Sequence, residues 1–115
     1  CGLLFEKLTE KGTTPLCCGS DMELLVAKTE DEGREKHLPV FIEIEGRYEV
    51  SVGEVPHPME ESHYIEWIEL IGENKEAKVF LKPGDKPEMK TKCAGFLVKR
   101  VRSFCNVHGL WEKKI

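Results

Sequence analysis

The chain has 115 residues, 40% of them hydrophobic and 33% charged, with a formal charge of -4 at neutral pH. That length supports one core and little more, and no apolar run is long enough for a bilayer span or has the layout of a signal peptide. Lys and Arg are dispersed among Glu rather than gathered in a stripe, so neither a nucleic acid nor a membrane is the expected partner.

Residues 1–28 carry two short apolar runs, Gly2 to Leu8 and Met22 to Ala27, around a loop from Thr9 to Ser20 that holds Gly12, Pro15, Cys17, Cys18 and Gly19. A hairpin of that size cannot bury a core of its own and needs a metal, a partner or the main domain. The five cysteines are an odd number, and Cys17 and Cys18 are adjacent, which is not the pattern of a secreted disulfide framework. A reducing, cytoplasmic compartment is expected, with the thiols free or metal-bound. Cys1 stands where a translated chain begins with Met, so a preceding segment is expected too. Lys28 to Glu35 holds no apolar residue and is expected to be a linker. It separates an N-terminal unit, 1–28, from a main domain, 29–115.

From Pro39 the apolar period is two: Val40, Ile42 and Ile44, then Tyr48, Val50 and Val52 after the turn signal Glu45-Gly46. This predicts a β-hairpin. A second hairpin is predicted from His63 to Ile71 and from Ala77 to Leu81, with Gly72-Glu73-Asn74 between them. Lys82-Pro83-Gly84-Asp85 is a turn by composition, Pro87 to Cys93 a weaker strand, Ala94-Gly95 another turn, and Phe96 to Cys105 the last strand. Short strands at this spacing, with almost no helical period, predict an all-β antiparallel sandwich.

Strand parity then places the histidines, because each antiparallel hairpin returns the chain to the end it left. His57 returns to the end of the sandwich that holds His37, and His63 is still there. The second hairpin also returns there at Pro83-Gly84, and one further excursion brings back Cys105 and His108. All four histidines of the chain and Cys105 thus fall at one end, with Cys93 near the other as a strand cysteine. Four imidazoles and one thiolate are one ligand too many for a tetrahedral structural zinc. They suit a five- or six-coordinate ion such as Fe(II), and hence redox chemistry. A ferrous ion with one thiolate and neutral imidazoles carries about +1 charge, which favours a small anion. Lys36 adds positive charge beside His37, and Glu35 on the same segment could reach the metal as a further carboxylate ligand. A non-catalytic electron-transfer or metal-binding module and a structural zinc domain remain the competing readings.

The runs Glu35-Lys36-His37-Leu38-Pro39, His57-Pro58-Met59, His63-Tyr64-Ile65-x-Trp67-Ile68 and Phe104-Cys105-Asn106-x-His108-Gly109-x-Trp111 closely resemble the superoxide reductases, also called desulfoferrodoxins and neelaredoxins. The resemblance runs from about residue 34 to the end and implies an immunoglobulin-like sandwich. It also implies one-electron reduction of superoxide to hydrogen peroxide, with rubredoxin or a similar carrier resupplying the electron. By that resemblance His37, His57, His63 and His108 are the equatorial ligands of a mononuclear non-haem iron and Cys105 the axial one. Glu35 would cap the ferric state, and Lys36 would attract superoxide and support protonation. Related proteins form dimers or tetramers, so a homo-oligomer is expected. Residues 1–28 resemble the small desulforedoxin-like domain of the two-iron members, in which Cys1, Cys17 and Cys18 would hold three positions of a second, rubredoxin-like iron. The fourth thiolate has no counterpart in this sequence.

Overall fold

The computed structural model describes residues 1–30, 36–92 and 96–115. Nine strands follow one another among these residues: β1 (Leu16–Cys17), β2 (Ser20–Asp21), β3 (Pro39–Ile44), β4 (Arg47–Val52), β5 (Ile65–Ile71), β6 (Glu76–Phe80), β7 (Glu88–Lys92), β8 (Arg100–Cys105) and β9 (Gly109–Lys114). Apart from β1 and β2, which pair with each other, they form a three-stranded sheet β3-β4-β7 and a four-stranded sheet β6-β5-β8-β9, all antiparallel.

The first hairpin forms as its sequence dictates. Ile44 pairs with Arg47, and Glu45 and Gly46 between them both have positive φ, 47° and 74°. That is the primed two-residue turn whose twist matches the strands it joins. Tyr48, Val50 and Val52 then point inward and are almost fully buried. They meet Ile68, Leu70 and Val101 from the other sheet in one core, with Met89 of β7 and Val98 completing it. A bulge between Ile65 and Trp67 resets the alternation, so that Ile65, Ile68 and Leu70 all face the core.

The outer face of the four-stranded sheet carries two cross-strand rows. Phe80, Trp67, Phe104 and Leu110 are successive partners, as are Lys78, Glu69, Arg102 and Glu112. The second row alternates in sign, and opposite charges facing each other across strands stabilise the pairing. Arg102 Nε donates to Glu112 Oε1 at 2.9 Å, Arg100 adds a second donor at 3.2 Å, and Lys78 Nζ lies 3.3 Å from Glu69. Glu6, from the N-terminal stretch, reaches the same Lys78 at 3.7 Å. The group Glu6, Glu69 and Glu76 therefore already has a cation of its own. Burial, partly offset by Lys78, pushes the Glu69 carboxyl up from its ordinary range.

The structure corrects the strand boundaries in three places. The apolar runs Gly2 to Leu8 and Met22 to Ala27 do not pair; the N-terminal ladder lies inside the predicted loop, where Cys17 pairs with Ser20. Cys18 and Gly19 form its turn with φ of 53° and 77°, again the primed type that Gly favours. Secondly, β8 begins only at Arg100. Thirdly, Gly109–Lys114 is a strand, β9, that sequence periodicity missed because only Leu110 and Trp111 in it are apolar. Within the predicted linker, Lys28 makes a parallel bridge to Trp111 of β9. The far-end placement of Cys93 lies outside the described residues, although Lys92 pairs with Arg47 at that end.

Candidate metal centre

The five predicted donors come from three separate segments that converge at one end of the sandwich. His37 leads into β3, and its backbone carbonyl accepts a hydrogen bond from the buried Ser103 hydroxyl of β8 at 3.2 Å. Its ring stacks on Trp111, with centroids 4.6 Å apart and planes 10° from parallel. Gly53 holds the same segment from the other side, donating its N–H to Leu38 O at 3.0 Å. Its φ is +82°, and an added Cβ would lie 2.7 Å from Lys36 O, so only glycine permits this approach.

His57 and His63 stand on the connection between β4 and β5. His57 N donates to Val52 O at 3.2 Å, and Glu60 and His63 exchange backbone hydrogen bonds of 3.0 Å. Cys105 ends β8 and pairs with Gly109, so the turn between them carries His108. Gly109, with a φ of 83°, closes that turn. Asn106 joins this turn to the His63 segment. Its Oδ1 accepts from Tyr64 N at 2.9 Å and its Nδ2 donates to Ser62 O at 3.1 Å.

The four rings stand near the corners of a square. Successive centroids, His37 to His57 to His63 to His108 and back, are 4.7, 4.8, 5.0 and 4.6 Å apart, and the His37–His63 diagonal is 6.4 Å. One donor atom from each ring and the Cys105 sulfur all lie within 4.8 Å of one another. Cys105 is fully buried. Its sulfur accepts the His108 amide at 3.4 Å and lies 3.9 Å from His108 Nδ1.

Hydrogen bonding also fits this set to a metal. His57 Nδ1 lies 2.7 Å from Pro58 O, which fixes the tautomer with hydrogen on Nδ1 and a lone pair on Nε2. That Nε2 is buried with no hydrogen-bond partner among the described residues, and so is His63 Nε2. Buried polar atoms are normally satisfied, and a metal ion would satisfy both. Burial, followed by the neighbouring His57, His108 and His63, pushes His37 down to about 3. Burial likewise lowers His57 against the opposing Pro58 hydrogen bond. Both rings are therefore neutral and ready to ligate at pH 7. Burial raises the Cys105 thiol, with the His108 and Val107 amides pulling the other way. Without metal the sulfur keeps its proton, and a bound cation would displace it.

Of the two residues expected to serve the centre without being among its five donors, Lys36 is exposed and its charge contributes to lowering His57. Glu35 lies outside the described residues. Cys1, Cys17 and Cys18 form a second donor group, with sulfur separations of 3.4 Å for Cys1–Cys17 and 3.6 Å for Cys17–Cys18. Two contributors escaped the sequence: Trp111 as the ring beneath His37, and Lys28 beside it. Trp111 lies in the run from Phe104 to Trp111, yet nothing in that run places it against His37, and Lys28 gave no signal.

The desulfoferrodoxin family profile matches residues 29–114. A desulfoferrodoxin from Nitratidesulfovibrio vulgaris is 45% identical over 116 residues, spanning 97% of this chain and 88% of the relative. A superoxide reductase from Pyrococcus abyssi is 35% identical, spanning 76% of this chain and 92% of the relative. Among solved structures, the superoxide reductase of Treponema pallidum superposes with a TM-score of 0.78 at 30% identity, covering 93% of this chain and 85% of that one.

Proposed function

The chain belongs to the desulfoferrodoxin family, and from that premise we propose that it is a superoxide reductase with a mononuclear non-haem iron. The observation that carries this is the convergence of His37, His57, His63, His108 and Cys105 within 4.8 Å, a nitrogen-rich set with one soft thiolate that suits Fe(II). When bound, iron supplies one electron to superoxide, passing from the ferrous to the ferric state. Two protons complete the product, hydrogen peroxide.

The chain's own residues do the rest. The four imidazoles leave the net positive charge of the centre largely intact, and the Cys105 sulfur, shielded from water, adds electron density to it. Lys36, exposed beside His37, gathers the anion and is a proton source on that segment. Glu35, its neighbour, serves the oxidised state as a replaceable carboxylate. A rubredoxin-like carrier returns the electron.

Four further assignments belong to the same proposal. Residues 1–28 are an N-terminal unit, and 29–115 the domain that bears the centre. Cys1, Cys17 and Cys18 contribute to a second iron site of the rubredoxin type, supported by their close sulfur separations. The protein works in a reducing cytoplasm, where thiols stay free to ligate a metal. It assembles with copies of itself, which would cover exposed apolar side chains such as Ile42 and Ile44 on the edge strand β3.

Iron content and anion access test the core of the proposal. Anaerobically prepared protein is expected to hold one iron at the five-donor centre, and azide or cyanide should perturb its oxidised spectrum. Stoichiometric zinc in place of iron, or an oxidised spectrum indifferent to both anions, would count against an open redox centre.

A further inference from the structure

Lys28 sits where composition alone shows only a linker, yet it is fastened to the metal centre by both its backbone and its side chain. Its N–H donates to Leu110 O at 2.9 Å, and its carbonyl accepts from Glu112 N at 2.9 Å. Residue 28 therefore clamps Trp111 from both sides along β9. The side chain extends the same way: Nζ donates to His108 O at 3.1 Å and stands 5.0 Å from the centre of the Trp111 ring. His108 is one of the five donors, and Trp111 is the ring on which His37 stacks. One ammonium thus braces the carbonyl of one ligand and the aromatic support of another.

We propose that Lys28 is a positioning residue for the metal centre, whose ammonium at the His108 carbonyl fixes the Cys105–His108 turn and biases the bound metal toward its reduced state. The inference rests on the iron-centre reading above. The bias has a simple origin. A fixed positive charge favours the metal state of lower charge, and it also offsets the negative end of the His108 carbonyl dipole. Because Lys28 is exposed, water and salt reduce the effect. The expected size is about a threefold change in the oxidised-to-reduced ratio, or about 30 mV at 59 mV per tenfold for one electron. Lys28 also joins the N-terminal stretch to the main sheet, so this bias depends on how that stretch is seated.

The test uses the iron-loaded full chain with Lys28→Met, Lys28→Gln and Lys28→Arg. It reads the reduction potential by spectroelectrochemistry and the energy of the thiolate-to-iron absorption band. Lys28→Met and Lys28→Gln should retain iron, shift the ratio about threefold toward the oxidised form and move the band, while Lys28→Arg stays near the parent in both. An unchanged potential in Met and Gln, or an Arg variant displaced as far as Met, would overturn the proposal. Neither readout involves superoxide. A centre that forms but does not consume superoxide would thus refute the enzymatic reading and leave the Lys28 result standing on its own.

Discussion

Asn106→Ala removes the clasp between the two ligand-bearing segments without touching a ligand. The side chain makes one hydrogen bond to Tyr64 N and one to Ser62 O, at 2.9 and 3.1 Å. A hydrogen bond of this kind contributes about 1 kcal/mol net. Asn106 is exposed, so water recovers part of that, and a total loss of about 1–2 kcal/mol is expected. The clasp holds the turn carrying Cys105 and His108 to the stretch carrying His63, so much of the loss should also appear in metal binding. At 1.4 kcal/mol per tenfold, that is about a 5- to 30-fold weaker affinity, which overlaps the roughly 10- to 100-fold losses usual for groups that orient ligands. Urea unfolding of the metal-free protein would read the first quantity, and chelator competition with Co(II) would read the second. Asn106→Asp keeps the acceptor for Tyr64 N and loses the donor to Ser62, so it should fall between. Parent-like Co(II) affinity in Asn106→Ala, at reduced stability, would refute the idea that the clasp positions the ligands.

Gly53→Ala should cost more than 2 kcal/mol in urea unfolding, because a Cβ there meets Val55 O at 2.5 Å and Lys36 O at 2.7 Å with φ already at +82°; a loss below 0.5 kcal/mol would mean the His37 segment moves freely. Lys36→Ala should retain iron and react with superoxide about three- to tenfold more slowly at low salt, with a flatter ionic-strength dependence. Stopped-flow rates matching the parent at low salt would remove Lys36 from the steering role. For pH, His37 falls from 6.5 to about 3 on folding, so the unfolded chain binds the proton first. The stability of the metal-free protein is then fully present above about pH 6.5 and is lost as pH falls toward 3. Between pH 7 and 5 this residue alone accounts for about 2 kcal/mol. Urea midpoints that are level over that range would contradict the buried neutral ring.

The ligand set was legible in the sequence because it depends only on strand parity and not on packing detail. Each of β3 to β8 has either a clear period-two pattern or a Gly-marked turn at its end, and parity survives errors of a few residues in the boundaries. Phe96 to Arg100 shows this: the strand begins late, yet Cys105 still arrives at the same end. What the sequence concealed were contacts made by residues without a periodic signature. The two apolar residues of strand β9, Leu110 and Trp111, are adjacent and give no period-two pattern, so Trp111 gave no hint that it lies beneath His37. Lys28 is one lysine among polar neighbours, and its place is set by β9, which was itself unseen. In the N-terminal unit the apolar runs misled, because Leu3, Phe5, Leu8, Leu24 and Val26 are exposed and the local fold follows the Cys18-Gly19 turn instead.

Reduction of superoxide at this centre and its dismutation differ in their balance of products. Ferrous protein mixed with a measured, substoichiometric amount of superoxide should yield one hydrogen peroxide and one oxidised iron for each superoxide consumed, with no oxygen. Half a peroxide per superoxide with oxygen released, or superoxide consumed with the iron left ferrous, would contradict the account.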